Sequence, residues 1–448
     1  MRLRCFPTVS GILAATLSLS MAFSVAYRPL YAADMATCEN PACAVENPQQ
    51  RYRFVHTSMS IDITLLAYAS DETTAAAAAD AAFARIDELD GILSDYRPES
   101  ELRRLCDRAG DGEWVPVSND LWRVLRCSAE MATLTDGAFD VTAAPVVRLW
   151  RLSRNTRALP NPERMATALK LVGWRQMEFD EPTRSIRLTT PEMRLDVGGI
   201  AKGYIVGEAL KTLADCGVRS ALLSAGGDVG VSDSPPGRPG WILGVAPLTP
   251  AQGMNQIRPH LATTDSGNHP NSTSGISYNP YDPGGPDNVS PDDGEMTPND
   301  NLSPDNEAVK NGSDTDHPSH YVVVSHCFAA TSGDAFQAVV INGVRHSHIL
   351  DPRTGRAVTT SYSVSLIGAG GMATDALATT MNVIGPEAGL ELLDRYNATL
   401  PPDQRIAAHF LWCAPASANT EDQASTPLHH LHNAEWDLQR FVTEPATQ

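Results

Sequence analysis

Four groups of residues in this chain have types and spacings that suit chemistry on a phosphorylated ligand. In the first, Asp196 leads into the glycine turn at Gly198 and Gly199, Lys202 lies in that turn, and an apolar helix pattern follows at Tyr204, Ile205, Ala209, Leu210 and Leu213. In the second, the strand Ser220 to Ala225 runs into Gly226 and Gly227 and then Asp228. Glycine lets backbone approach a ligand closely, a helix N-terminus favours anions, and a lysine there neutralises phosphate. The third group is Asp375 and Thr379, four residues apart near a helix start and so on one helix face. A carboxylate and a hydroxyl so placed suit a hard cation that keeps water and bridges phosphates, as magnesium does. Taken alone, the pair reads more readily as an Asp complementing the helix dipole and a Thr bonding back to its own helix. The fourth is His348, whose imidazole titrates where it can activate a hydroxyl, although a histidine beside a strand end is more often a hydrogen-bonded structural residue.

The elements that must position these groups can be read in order. Arg51 to Ala69 reads as a strand with partial alternation, and Met59 within it is a core filler on its own terms. An alanine-rich helix runs from Glu72 to Leu93 with Ala82, Ile86, Leu89 and Leu93 on one face, and Tyr96 sits in the turn after it as a packing residue. A second helix spans Ser118 to Thr135 and is stopped by Asp136 and Gly137; Asp140 before a new helix start reads as a cap. Residues 151 to 192 read as scaffold, and Asn342-Gly343 marks a two-residue hairpin turn. The run SVSLIGAGGMATDALATT superficially carries a dinucleotide fingerprint after a strand. A helical pattern, GPEAGLELLDRY, follows where a parallel strand ending in an acid would be needed, so that reading fails. A strand from His409 to Cys413 is expected to close the sheet, ahead of a polar, solvated tail over 416–448 in which His429, His430 and His432 offer only adventitious metal binding.

Composition narrows the class. The chain has 448 residues, 42% hydrophobic and 19% charged, which is ordinary for a folded protein. A formal net charge of -19 argues against nucleic acid as a partner, since phosphate backbones need clustered Lys and Arg. Nearly half of that charge is local: between Gln252 and His320 eleven acidic residues face two basic ones, and the segment 251–319 cannot supply a core. At the other end, Arg2 and Arg4 precede an apolar run from Gly11 to Val25, too short to span a bilayer. Residues 1–26 therefore read as a signal peptide and 27–50 as a tether, giving an exported protein. No Cys follows the apolar run as a lipoprotein would require. Eight cysteines, one of them in the signal, allow up to three bridges with no pairing fixed by spacing.

Taken together, these motifs resemble the flavin transferases of the ApbE family, which move FMN from FAD onto a Thr or Ser of a target protein. Asp196 to Tyr204 matches the family's DLGGIAKGY, and Gly226 to Asp228 its GGD turn. Gly137 to Thr142 matches GAFDpT with Val141 for the usual Pro, and Thr331 to Asp334 is its TSGD turn. His348 to Gly355 follows HIIDPxTG, and Asp375 to Thr379 follows its DALaT. The resemblance implies an α+β fold with mixed or antiparallel sheets and flanking helices, over 51–250 and 320–415. It implies FAD contacts at Met59, Tyr96, Ala138, Phe139, Asp140, Asp196, Gly199, Lys202, Asp228, His348 and Ile349. It further implies Mg2+ on Asp375, Thr379 and a backbone oxygen of Gly199, with Lys202 adding charge and His348 or a carboxylate such as Asp196 taking the acceptor's proton. The acceptor would be a membrane redox subunit with a short Ser/Thr motif, reached in the periplasm at or near the inner membrane. A hydrolase cleaving FAD to FMN and AMP, a flavin-binding protein without turnover, and an exported scaffold remain as alternatives.

Overall fold

In the computed structural model, residues 49–245, 257–259, 320–333, 338–413, 428–437 and 440–442 are described. The expected signal peptide, nearly all of the expected tether, most of the acidic segment and Asp334 of the TSGD motif lie outside them. Eight strands build the main sheet: β1 (Gln50–Ser58), β2 (Ile61–Ala69), β3 (Ser220–Ala225), β4 (Asp228–Val231), β5 (Cys327–Gly333), β6 (Tyr362–Gly368), β7 (Ala407–Cys413) and β8 (Leu428–His432). Their spatial order is their chain order, and every neighbouring pair is antiparallel. Such a meander has no parallel crossover, which is why the glycine run after β6 is not a dinucleotide turn.

Helices enter at two places in this meander. Between β2 and β3 come α1 (Glu72–Leu93), α2 (Glu101–Cys106), α3 (Asn119–Leu134), α4 (Ala144–Thr156), α5 (Pro162–Leu169) and α6 (Ala201–Asp215); between β6 and β7 come α7 (Gly371–Ile384) and α8 (Pro386–Asn397). α1, α6 and α7 share one core with Ile63, Leu65, Leu223, Val364, Leu366 and Phe410 of the sheet. On the opposite face Leu66, Leu222, Val229, Val231 and Ile367 pack against Trp241, Leu243, Val322 and Val324, which belong to a four-stranded sheet ordered Arg440–Val442, His320–Val324, Trp241–Val245, Ile257–Pro259. Successive residues point to opposite faces of a strand, so burial of both faces makes Leu65-Leu66 and Leu222-Leu223 read as unbroken apolar runs. The α1 boundaries follow from its cap: Asp71 Oδ1 accepts from Thr74 N–H at 2.8 Å, and Ala75, Ala78, Ala79 and Ala82 give a small-residue face that packs within the shared core. Full burial of Ile86 and Leu89 stabilises the helix by about 1.5–3 kcal/mol each.

Three expectations change. Arg51 to Ala69 is a hairpin of two strands, turning at Met59 and Ser60 with φ of 53° and 60°. Neither residue is a turn former of the Gly or Asn type, so nothing local announces the break. β7 does not close the sheet, because β8 pairs with it from His409↔His432 to Cys413↔Leu428. The expected polar tail therefore holds an edge strand, a short helix carrying buried Trp436, and a strand paired to His320–Val324. Asn433 ties this segment down, accepting from Ala408 N–H at 2.9 Å and donating to Ile406 O at 2.9 Å. Within the acidic segment, Ile257–Pro259 adds to the small sheet. Cys106, Cys127, Cys216 and Cys327 are unbridged.

Candidate active site

α6 and α7 cross with their backbones in contact: a Cβ on Gly203 would stand 2.2 Å from Gly371 O. Only glycine permits this approach, and it brings Lys202 of α6 to Asp375 of α7. Lys202 Nζ lies 2.6 Å from Asp228 Oδ2 at the start of β4 and 3.2 Å from Asp375 Oδ1. Gly203 N–H donates to Asp375 Oδ2 at 3.3 Å, so Asp375 also serves α6, which has no side-chain N-cap of its own. Asp228 arrives by the β3–β4 hairpin, whose turn residues Gly226 and Gly227 have φ of 58° and 106°. Both carboxylates are buried, with side chains 8% and 6% exposed. Burial and the neighbouring Asp375 push the Asp228 carboxyl above the usual carboxylate range, against the pull of Lys202. Burial works against the Lys202 ammonium, but the two carboxylates outweigh it and hold the lysine charged.

Around this cluster lies a cleft of about 480 Å³. Of the residues singled out in the sequence, Tyr96, Ala138, Phe139, Asp140, Asp196, Gly199, Lys202, Asp228, His348, Ile349, Asp375 and Thr379 line it. Met59 is not among them. It packs, half buried, at the edge of the main core from its place in the β1–β2 turn, and Ile61 two residues on reaches the cleft instead. Thr374 and Thr380 turn their hydroxyls back to Gly370 O and Ala376 O, each at 2.8 Å. Thr379 makes no such bond, and its Oγ1 would lie 3.4 Å from a Cβ on Gly199. The Asp375 carboxylate, the Thr379 hydroxyl and the side-chain-free approach at Gly199 are the hard oxygen donors and the room that a small divalent cation needs.

Several roles differ in detail from the sequence expectation. Lys202, expected toward phosphate, has its ammonium on two carboxylates. Asp140 is committed as a cap: Oδ1 accepts from Thr142 N–H at 2.8 Å and from Thr142 Oγ1 at 2.7 Å, and Oδ2 accepts from Trp174 N–H at 3.1 Å. Its carboxylate shapes the loop that presents Ala138 and Phe139, while burial pushes it upward in pKa. Asp196 accepts from Gly198 N–H at 2.9 Å and from Arg151 at 2.8 Å. Arg151 also donates to Asp95 at 2.9 Å, and its guanidinium sits 4.6 Å from the ring centre of Tyr96. Sequence reading took residues 151–192 for scaffold and so missed Arg151 and Arg154, both of which line the cleft; two arginines three apart on a helix reaching past a proline start were the available signal. His348 lies, half buried, between two small hairpins that dock on α4, where Trp150 donates from Nε1 to Gly355 O at 2.8 Å and packs beside His346.

Comparison with known proteins bears on this arrangement. The model of the ApbE family matches residues 56–282 and 304–401. A FAD:protein FMN transferase of Treponema pallidum (strain Nichols) is 25% identical over 342 residues, covering 74% of this chain and 79% of the relative. One of Klebsiella pneumoniae (strain 342) is 31% identical over 178 residues, 40% of this chain and 55% of the relative, so that match spans about half of it. Among solved structures, the flavinyl transferase ApbE of Pseudomonas stutzeri in its apo form superposes with a TM-score of 0.62 at 20% identity, over 87% of this chain and 97% of the other. The flavin transferase ApbE of Vibrio cholerae gives 0.62 at 19%, over 88% and 100%. These structural likenesses concern the fold, which is α+β as expected.

Proposed function

The chain belongs to the ApbE family, and from that premise we propose that it is a FAD:protein FMN transferase, dependent on Mg2+, acting on a Ser or Thr of an exported redox protein. The observation that carries this reading is the convergence of Lys202, Asp228, Asp375, Thr379 and the Gly199 turn in one cleft. A simple flavin-binding pocket has no need of two buried carboxylates held together against their own repulsion. One ammonium does not keep both carboxyl groups ionised, which is why the Asp228 carboxyl is pushed up, and a divalent cation would let both carry charge.

In this reading the acceptor hydroxyl oxygen attacks the FMN phosphorus, the pyrophosphate P–O bond to AMP breaks, and AMP leaves with the electron pair. Mg2+ bound by Asp375, Thr379 and the Gly199 backbone would supply charge neutralisation to the pyrophosphate. Lys202 keeps Asp228 and Asp375 at their spacing. The bridge from Asp95 through Arg151 to Asp196 fixes the wall that carries Tyr96, and Ala138, Phe139 and Ile349 supply apolar contact for the flavin. His348, or a carboxylate of the cleft such as Asp196, receives the proton of the attacking hydroxyl. The N-terminal arginines and apolar run support export to a periplasm, where a membrane redox subunit would present the acceptor.

The test is incubation of the protein with FAD and Mg2+, with and without an acceptor domain bearing a Ser/Thr flavinylation motif. FMN mass on the acceptor, lost in Asp375→Ala, is the expected result. Release of FMN and AMP without labelling would replace transfer by hydrolysis, and FAD bound unchanged would remove both.

A further inference from the structure

Away from the cleft, the last two strands of the main sheet bring together three imidazoles. His409 lies opposite His432 in the β7–β8 register, and His430, two residues before His432, projects from the same face. One ring nitrogen from each lies within 4.8 Å of the others. The ring centres form a nearly equilateral triangle with sides of 6.0, 6.1 and 6.2 Å. Trp436 stacks on His409 at 4.8 Å and 13°, and the Asn433 bonds to Ala408 and Ile406 fix the chain immediately after His432. None of the three histidines lines the cleft.

We propose that His409, His430 and His432 form a binding site for a borderline transition-metal ion, represented by Zn2+, that clamps β8 onto β7. The donor set is what selects the ion. Imidazole nitrogens suit Zn2+, Cu2+ or Ni2+, whereas Mg2+ takes oxygen, so this site and the Asp375–Thr379 site do not compete for the same metal. Zn–N bonds of about 2.0–2.1 Å in a tetrahedron set nitrogens about 3.3–3.4 Å apart, so the separation of up to 4.8 Å must close by about 1.5 Å. His430 is exposed, so its ring has room to turn toward the other two, while Trp436 stacks on His409. The clamp falls on the edge of the sheet, where a strand has a neighbour on one side only and least to hold it. Binding there adds directly to the stability of the folded chain. The inference is independent of the transferase reading, since no residue is shared.

The experiment uses the full chain carrying no oligohistidine tag, stripped by a chelator and titrated with Zn2+ alone in excess Mg2+. The wild type is expected to bind one Zn2+ per chain at this site and to melt at a higher temperature with it. His430→Ala, at an exposed position, should melt like the wild type when metal-free, lose the Zn2+-dependent rise, and bind on the order of tenfold or more weakly. His430→Gln repeats the measurement should the alanine variant prove unstable. His429→Ala removes a ring that faces the other way and stacks on Trp412 at 5.4 Å, and it should change neither quantity. Equal binding and equal stabilisation in wild type and His430 variants would overturn the site, as would a loss in His429→Ala as large as in His430→Ala. Binding without a rise in melting temperature would overturn the clamp.

Discussion

α6 carries a charged cluster on each of two sides, and the two are built on opposite terms. Away from the cleft, Arg85 of α1 donates to Asp120 of α3 at 2.6 Å, to Glu88 at 2.8 Å and to Glu208 of α6 at 3.2 Å, while Tyr204 of α6 donates its hydroxyl to Asp120 at 2.6 Å. Burial pushes the Asp120 carboxyl upward, but the bonds from Arg85 and Tyr204 outweigh it and hold the group below its ordinary value. In the cleft the balance runs the other way: Asp228, more deeply buried and facing Asp375, is held above its ordinary value despite Lys202. The first cluster staples three helices and favours folding. The second stores like charge in a buried place, which lowers stability and leaves a position that a cation completes.

The largest effect expected in breaking this contrast is Asp375→Ala, which should reduce covalent FMN transfer on the order of a thousandfold while the protein remains folded by circular dichroism. Next comes Gly203→Ala. Its new methyl group must push Gly371 away, separating α7 from α6, and a loss of about 3 kcal/mol in denaturant unfolding is expected together with loss of transfer. Asp120→Asn should cost about 2 kcal/mol by the same measurement and leave transfer per folded molecule unchanged. Its pH profile sharpens the point. A carboxyl whose folded pKa is lowered contributes stability above its unfolded value, near 4, and loses it as pH falls through the folded value. The acid limb of a melting-temperature profile should therefore be shallower in Asp120→Asn than in wild type. The smallest effect, and the one opposite in sign, belongs to Asp228→Asn: removal of a carboxylate held unfavourably should raise stability by about 1 kcal/mol while lowering transfer. A fall in melting temperature in that variant would erase the distinction between the two clusters.

How much of this was legible depends on the range of the interaction that decides it. α1 and α3 were readable to within a residue because their ends are set by neighbours: Asp71 caps α1, Ser118 caps α3, and Thr135-Asp136-Gly137 ends it. The Asn342-Gly343 hairpin was readable for the same reason, both residues having positive φ. The Met59-Ser60 turn was not, since its conformation is imposed by the pairing of β1 with β2 and by β2's pairing with β3 rather than by its own residues. β8 was hidden by composition. Three of its five residues are histidine, and only its partner β7 makes a strand of it.

The sequence by itself determined the local chemistry of this protein: which turns carry glycine, which helix face carries Asp375 and Thr379, and that a family pattern links them in order. Tertiary structure alone decided that Lys202 faces two carboxylates rather than solvent, that Arg151 joins the cleft wall, and that His409 meets His430 and His432. Propensity and capping act over a few residues along the chain. The interactions in this second set join residues as far apart as Lys202 and Asp375, and they form only where segments distant in the chain are packed together: two glycine-bearing helices, a helix against two turns, or two strands in register.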